Sequence, residues 1–442
     1  MVRSSTGDRR AGAILTVASA VLAVLVGLFV IMAGVASYKT TKVERRWAQT
    51  LGTWDEILER YPPAEANAAA LELERLTAPL GIDTATRSYE GRPRPTPEQK
   101  QGFKQSVAGD MAAYRTKLLE SPRRATAPPP ASVAAFLEVH AEELAAVRTH
   151  LAHGGIPKWE MHLEYVAAAP IPNLLGHIDL QKLLITDALA KHAAGDRDRA
   201  LEDLEASWRL SQSLDDAPIL INQLIVIADA RMLAGALRQI PDVPAVWRDR
   251  LSERDFRRSF TNALKYESWM WTQLDETSDF ASLSRLASRL INSIGRPYVR
   301  YCLADVSDDF HERLLALDDV RAICDYDLST WGADLNVPIP RWNAIGSIVI
   351  PNLRGALERL ASLELDLELT VKLLELEAAR RSNGGRWPAS LPGGELSRAC
   401  PVDRWVYEAT PDGGMSLAFS RDIAWPDLKG HKLPARFSAG PG

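Results

Sequence analysis

Apolar residues are distributed along this chain in two ways. From Ala11 to Tyr38 they run for 28 residues without one charged side chain. Beyond that run they recur at steps of three and four, the period of helices with a buried stripe. At 1.5 Å per residue the charge-free stretch makes a helix about 42 Å long, against a hydrocarbon core of roughly 30 Å. It predicts a membrane span over residues 11–38. A cleaved signal peptide has a centre of about 7–15 apolar residues, and this one is longer. Gly34-Val35-Ala36 supplies a small-x-small exit, yet the length favours an uncleaved anchor. Small residues are frequent in it (Gly12, Ala13, Ala18, Ala23, Gly27, Ala33, Gly34), but no strict G-x-x-x-G pairing motif is present.

The helical period continues to the last quarter of the chain. The span is expected to extend through Lys42–Tyr61 and stop at Pro62-Pro63, because proline breaks a helix interior. Further helices are predicted over Ala64–Ala78, Glu98–Leu119 and Ser132–His150, with a loop at Asp83–Pro97. The Pro-rich run from Ser121 to Pro130 reads as an extended linker. Residues 174–240 form the most regular part, three helices with Gly195 ending the first and Asp196 capping the second. The piece Ala188–Ala206 resembles a tetratricopeptide-type hairpin, but one legible unit does not make a solenoid. The last long helix runs from Asn352 to Ser382. Leu353, Leu357, Leu360 and Leu363 make one stripe, and Leu365, Leu369, Leu373 and Leu376 another, so it should be packed on two sides. Glu368–Lys372 and Glu377–Arg381 read as exposed i,i+4 pairs.

After Asn383-Gly384-Gly385 the period changes. Arg404–Ala409 and Met415–Ser420 alternate as two strands, joined by the turn Pro411-Asp412-Gly413-Gly414. The fold class is therefore mainly α: an N-terminal transmembrane helix, an irregular helical bundle and a small C-terminal antiparallel β-hairpin module. The expected organisation is residues 1–10 cytoplasmic, 11–38 membrane, 39–121 a membrane-proximal helical segment, 122–131 the linker, 132–345 the helical body and 346–442 the long helix with its β-tipped module.

Composition adds bounds. Hydrophobic content is 46%, charged content 25% and net charge −5, values of a globular protein with a true core. No long basic run is present, so nucleic acid is not an expected partner. Residues 343–351 are apolar but stop at Pro351, and no second stretch of membrane length is read. The span's flanks are nearly balanced: Arg3, Arg9 and Arg10 with the terminal amine, against Lys39, Lys42, Arg45 and Arg46. A lone N-terminal span commonly directs export, which predicts the N-terminus in, the bulk of the chain outside and the bacterial inner membrane as its site. Cys302, Cys324 and Cys400 form no disulfide framework or metal knuckle. In an oxidising compartment Cys302 can pair with Cys324, leaving Cys400 free; three buried thiols is the equal alternative.

Catalytic signatures are sparse. His311-Glu312 opens a zincin-like motif, but Leu315 occupies the place of the second ligand. His150 and His153 share a helix end without a third ligand, and read as solvated or capping groups. Glu160, His162 and Glu164 alternate as a strand would place them on one face, where they could serve general acid–base chemistry; with no partner nucleophile in view, a polar edge of an irregular segment is the favoured reading. No G-x-S-x-G, phosphate-cradling glycine loop or catalytic cysteine pattern occurs. The Trp269-Met270-Trp271 cluster reads as core filling. No residue is assigned to catalysis, cofactor or metal, and no cofactor is implied.

Asn383, Gly384, Trp387, Pro388, Leu391, Pro401, Asp403, Trp405 and Tyr407 resemble the end of the type II secretion pseudopilin domain, a long helix, then Asn-Gly-x-aromatic-Pro, then a small antiparallel sheet. The resemblance covers about 60 of 442 residues. Arg404 stands where that family has proline. Ser420–Asp427 offers no counterpart to the calcium loop of some members, and the span lacks the glutamate of pilins. As a whole the chain resembles single-pass bacterial membrane proteins that end in such a module. The expected function is a membrane-anchored extracytoplasmic helical protein acting through protein–protein contacts in the cell envelope, with the lipid bilayer and envelope proteins as partners. Two alternatives stand beside it: a membrane-tethered hydrolase using Glu160, His162 and Glu164, and an accessory of a secretion or pilus-like system.

Overall fold

A computed structural model describes residues 6–86, 89–273, 295–317, 340–349, 353–421 and 436–440. The first helix, α1 (Thr6–Leu51), is continuous for 46 residues, about 69 Å at 1.5 Å per residue. Its most apolar window has a mean hydropathy of 2.6 and none of it is buried, so it is long and apolar enough to cross a membrane. The helix ends earlier than its period suggests. Gly52 turns the backbone to φ +94°, which glycine adopts without a Cβ clash. Thr53 then starts α2 (Trp54–Arg60) with a reciprocal capping box to Glu56. A local cap, not Pro62-Pro63, therefore sets the break.

Local rules place the next helices. Asn67 caps α3 (Ala68–Thr77), and Thr96 with Gln99 boxes the start of α4 (Pro97–Ser106). The single helix expected over Glu98–Leu119 is two, because Val107 departs to φ −130° between α4 and α5 (Ala108–Leu119). Likewise His140 separates α6 (Ala131–Val139) from α7 (Ala141–His153). The regular region is as its pattern predicts: α8 (Leu174–Ala193), α9 (Arg197–Gln212) and α10 (Leu220–Gln239), with Gly195 at φ +82° and Asp196 capping α9. Then come α11 (Val246–Glu253), α12 (Phe256–Gln273), α13 (Arg296–Ala316), α14 (Ala344–Val349) and α15 (Leu353–Ser382).

Helix α10 sits at the centre, packed against α5, α8, α9, α12 and α15. It too is long and apolar enough to cross a membrane, contrary to the expectation of no second such stretch, but 72% of its window is buried in the body. Arg238 near its C-terminal end is held by α15. Arg238 and Asp366 of α15 pair at 2.8 Å with side chains only 2% exposed, and the same guanidinium donates to Thr370 Oγ1 at 2.8 Å. Both stripes of α15 are buried, Leu357, Leu360 and Leu363 together with Leu369, Leu373 and Leu376.

Of the two pairs read as exposed on α15, only Arg381 is exposed, and it pairs with Asp242. Glu368 is buried and accepts from Ser397 Oγ and the amides of Arg398 and Ala399, while Lys372 donates to Gly394 O at 2.9 Å. Glu377 is buried against Arg124 and the Asp242 amide. These charges fasten the C-terminal module and the Pro-rich strand to the helix. Beyond α15, β1 (Trp405–Ala409), β2 (Met415–Phe419) and β3 (Arg436–Ala439) form an antiparallel sheet in that order, with Trp405 opposite Phe419 and Tyr407 opposite Leu417. The third strand had no period of its own in the sequence. The Pro-rich run is extended, as read, but pinned. Arg124 N donates to Ser438 O, Ser438 N to Pro122 O, and Ala125 N to Gln239 Oε1.

Removing one partner of a buried ion pair leaves an uncompensated charge, a loss of about 3–5 kcal/mol. Asp366→Ala should therefore lower unfolding stability by that order in denaturant titration of the detergent-solubilised full chain. Substituting the exposed Arg199 should change it little.

Candidate functional site

The segment from Pro157 to Ala169 crosses the surface between α7 and α8 and carries Glu160, His162 and Glu164. One isolated antiparallel bridge, Ala64 to Met161, holds it against the chain before α3. Strand geometry ends there: Leu163–Ala168 is a 3-10 turn, so the three residues do not share one face. Val166 within it adopts φ +50°, which for a β-branched residue stores about 1–3 kcal/mol of strain.

The structure sorts the trio into two adjacent clusters. The Glu160 carboxylate is fully buried. It accepts from Thr86 Oγ1 at 2.7 Å and pairs with Arg92, whose other terminal nitrogen lies 3.0 Å from both oxygens of buried Glu74. Burial raises the Glu74 pKa above its ordinary value despite Arg92, and the nearby Glu160 charge adds to the rise. His162 instead faces Glu164, with Nδ1 3.0 Å from Oε1, and Glu65 at 3.5 Å, and it stacks on Tyr165. Tyr89 feels both clusters: burial, then the Glu65 and Glu160 carboxylates, push its phenol upward. Sequence reasoning missed Glu74, Arg92 and Thr86, which come from α3 and a loop about 70 residues upstream and carry no local signal.

The remaining chemical candidates have structural partners. His311 packs edge-on to Trp47 and bonds Thr50 Oγ1 at 3.0 Å, and Glu312 pairs with Arg46. His150 contacts the Ala69 carbonyl oxygen at 2.8 Å, while His153 is exposed. Trp269 and Trp271 are buried, edge-on to Trp54 and Phe310 respectively. Among the described residues no group of three or more His, Cys, Asp or Glu side chains is arranged to hold a metal ion. Cys302 is a buried free thiol and Cys400 is disulfide-bonded. Neither sequence alternative for the cysteines survives, since both left Cys400 unbonded; Cys324 lies outside the described residues.

A cleft of about 440 Å³ opens between the α11–α12 connection, α15 and the loop around Arg398. Its apolar wall includes Phe256, Leu367 and Val371. Arg257 and Glu364 pair across it, and Glu368 and Lys372 are bonded as described. Exposed Arg398 stands at its mouth. Deeper in the bundle, Asp229 of α10 is 1% exposed and neither oxygen has a hydrogen-bond partner among the described residues. Burial pushes it well above the usual carboxylate range. His177, fully buried and with no hydrogen bond at either nitrogen among the described residues, is pushed down to about 3 by burial.

Comparison with protein-family models, with curated proteins and with solved structures finds no match.

Two predictions follow from the burial pattern. Glu160→Ala strips half-buried Arg92 of one of its two counter-charges and leaves the Thr86 hydroxyl without its acceptor, and should cost about 1–3 kcal/mol. His162→Ala breaks a partly exposed contact worth less than about 1 kcal/mol; thermal melts separate the two. Asp229 has a raised folded pKa, so its contribution is full below its ordinary value of 3.8 and is lost as pH rises towards the folded one. Asp229→Asn should therefore match the natural chain near pH 3.5 and exceed its stability at pH 8.

Proposed function

We propose that this chain is a single-pass membrane protein with the N-terminus inside, whose helical body stands outside the cytoplasm and works by contact with other envelope proteins. The observation that carries the reading is the union of α1 with α13. The helix emerges from its apolar stretch without a break and is clamped at once. Lys39 pairs with Asp305, Arg46 with Asp308 and Glu312, and Trp47 Nε1 donates to Ser307 Oγ at 2.8 Å. A cleaved leader has no need of such a clamp. The disulfide at Cys400 supports the outward side, because structural disulfides belong to oxidising compartments. The charge-lined cleft beside Arg398 is the surface offered to a partner.

A second reading makes the chain an accessory of a secretion or pilus-like assembly. What favours it is the order of a long helix, the Asn383-Gly384 stop and a small antiparallel sheet with Tyr407 bonded to Pro388 O.

Alkaline phosphatase fused after Gly442 should be active and a fluorescent protein there dark; the reverse pattern overturns the topology. Alkylation of the denatured chain should find one thiol before reduction and three after. A photo-crosslinker at Arg398 should capture discrete proteins in native membranes, with exposed Glu202 as the control. Secretion-system components among them favour the second reading, and no protein adduct from Arg398 sinks the cleft as a contact surface.

A further inference from the structure

Helices α1 and α13 run in the same direction. Lys39 meets Tyr301 and Asp305, Arg46 meets Asp308 and Glu312, and Thr50 meets His311. Both residue numbers rise together along the seam, so the first turn of α13 lies back towards the span. Arg296 begins that helix five residues before Tyr301, roughly 7 Å lower at 1.5 Å per residue. It is therefore level with the last residues of the charge-free run, before Lys39. Burial along α1 agrees. Ala36 is fully covered and Phe29 and Ala33 partly so, while Val30, Ile31 and Val35 on the other faces stay exposed.

At that level the body presents a small aromatic and basic surface. Trp342 is 46% exposed and Arg341 beside it is exposed. The Trp342 ring lies against Tyr301 with centroids 5.5 Å apart, and the Tyr298 hydroxyl donates to the Trp342 carbonyl oxygen. The loop is fixed from behind. Asn343 donates to Cys302 O at 3.1 Å and to Asp305 Oδ2 at 3.3 Å, and its Oδ1 accepts from Gly346 N. Asp305 thus holds Lys39 of the anchor with one oxygen and the Trp342 loop with the other.

We propose that Trp342, Tyr298, Tyr301 and Arg341 form a foot that sits in the phospholipid headgroup layer beside the span. An indole or phenol ring with one apolar body and one polar edge is suited to that layer. A guanidinium beside it matches the lipid phosphate. The occupant is lipid rather than a protein because the surface lies level with the end of the span and continues its covered face. An exposed tryptophan at this height otherwise loses the burial that its size favours. The inference rests on the membrane-anchor reading and adds a second, peripheral contact that sets the tilt and height of the body.

The test is spin-label accessibility in the full chain, reconstituted in vesicles of phosphatidylcholine and phosphatidylglycerol, in a Cys302→Ala background. Labels are placed by Trp342→Cys, and separately by Arg341→Cys, with Leu25→Cys in the span and Glu202→Cys on the body as references. The labels at 342 and 341 should show oxygen collision above, and nickel-chelate collision several-fold below, those at 202. Values equal to those at 202 overturn the foot. If the label at 25 is also aqueous, the anchor reading falls too; if it reads as lipid, only the foot is lost. A 342 label that is shielded in native membranes but aqueous in vesicles assigns the surface to a protein and likewise overturns the proposal.

Discussion

The seam between α1 and α13 is the interaction on which the arrangement of this chain turns. A helix that is apolar all round satisfies its backbone internally and asks nothing of its surroundings while it lies in lipid. Once it carries Lys39, Lys42, Arg45 and Arg46 it needs either water or counter-charges. Here the body supplies Asp305, Asp308 and Glu312 along one face of α13, and Trp47 and Val43 are buried in the same seam. Ion pairs in such part-buried settings gain more than exposed ones, which contribute about 0–1 kcal/mol each. The larger consequence is geometric. Apolar packing of Trp47 on His311 and the bond to Ser307 leave α1 little freedom to swivel.

Charge is treated the same way further inside. Arg238 with Asp366, and half-buried Arg148 and Lys191 with buried Asp187 and Asp203, put cations and carboxylates together where their carboxylates are out of water. Such sets give little net stability compared with an apolar core, but they are costly to mispair, so they select one register of helices. Burial and the Asp187 charge keep Asp203 above the ordinary carboxylate range even beside two cations. Asp229 and His177 are the other solution to the same problem: with no hydrogen-bond partner among the described residues, burial favours their neutral forms.

Much of this architecture was legible in the chain because periodicity reports which faces are buried. The two leucine stripes of α15, the Gly195–Asp196 joint and the alternation of Trp405, Leu417 and Phe419 each state their own environment. What escaped was whatever depends on a distant partner. Glu368 and Lys372 sit four apart, and an i,i+4 pair is the local inference; only the later arrival of Ser397 and Gly394 makes them buried fasteners. Gly52 was masked by the strong helical period on either side of it. The strand β3 has too few residues to show a period, and is defined by pairing with β2 and with Pro122. At the candidate site the irregular segment favoured by the sequence is there, a 3-10 turn standing in place of the strand that would have put Glu160, His162 and Glu164 on one face.

That turn also bears on what the site does. A general acid–base pair needs a group free to give or take a proton within reach of a substrate. Glu160 has Thr86 and Arg92 on its oxygens and no exposed surface, so its carboxylate is committed to holding the loop to α3. His162 is the less buried member, but its neighbours Glu65 and Glu164 are both carboxylates, which orient it without supplying a nucleophile. The strain at Val166 then has a structural cause in the same place: the chain must leave the Glu160 clasp and reach the Asn173 cap of α8 within a few residues. The polar groups that sequence spacing marked as chemistry are thus accounted for as the joint between the first helices and the central bundle. A surface that recognises partners is better sought where charge and apolar area remain exposed together, at the Arg398 cleft.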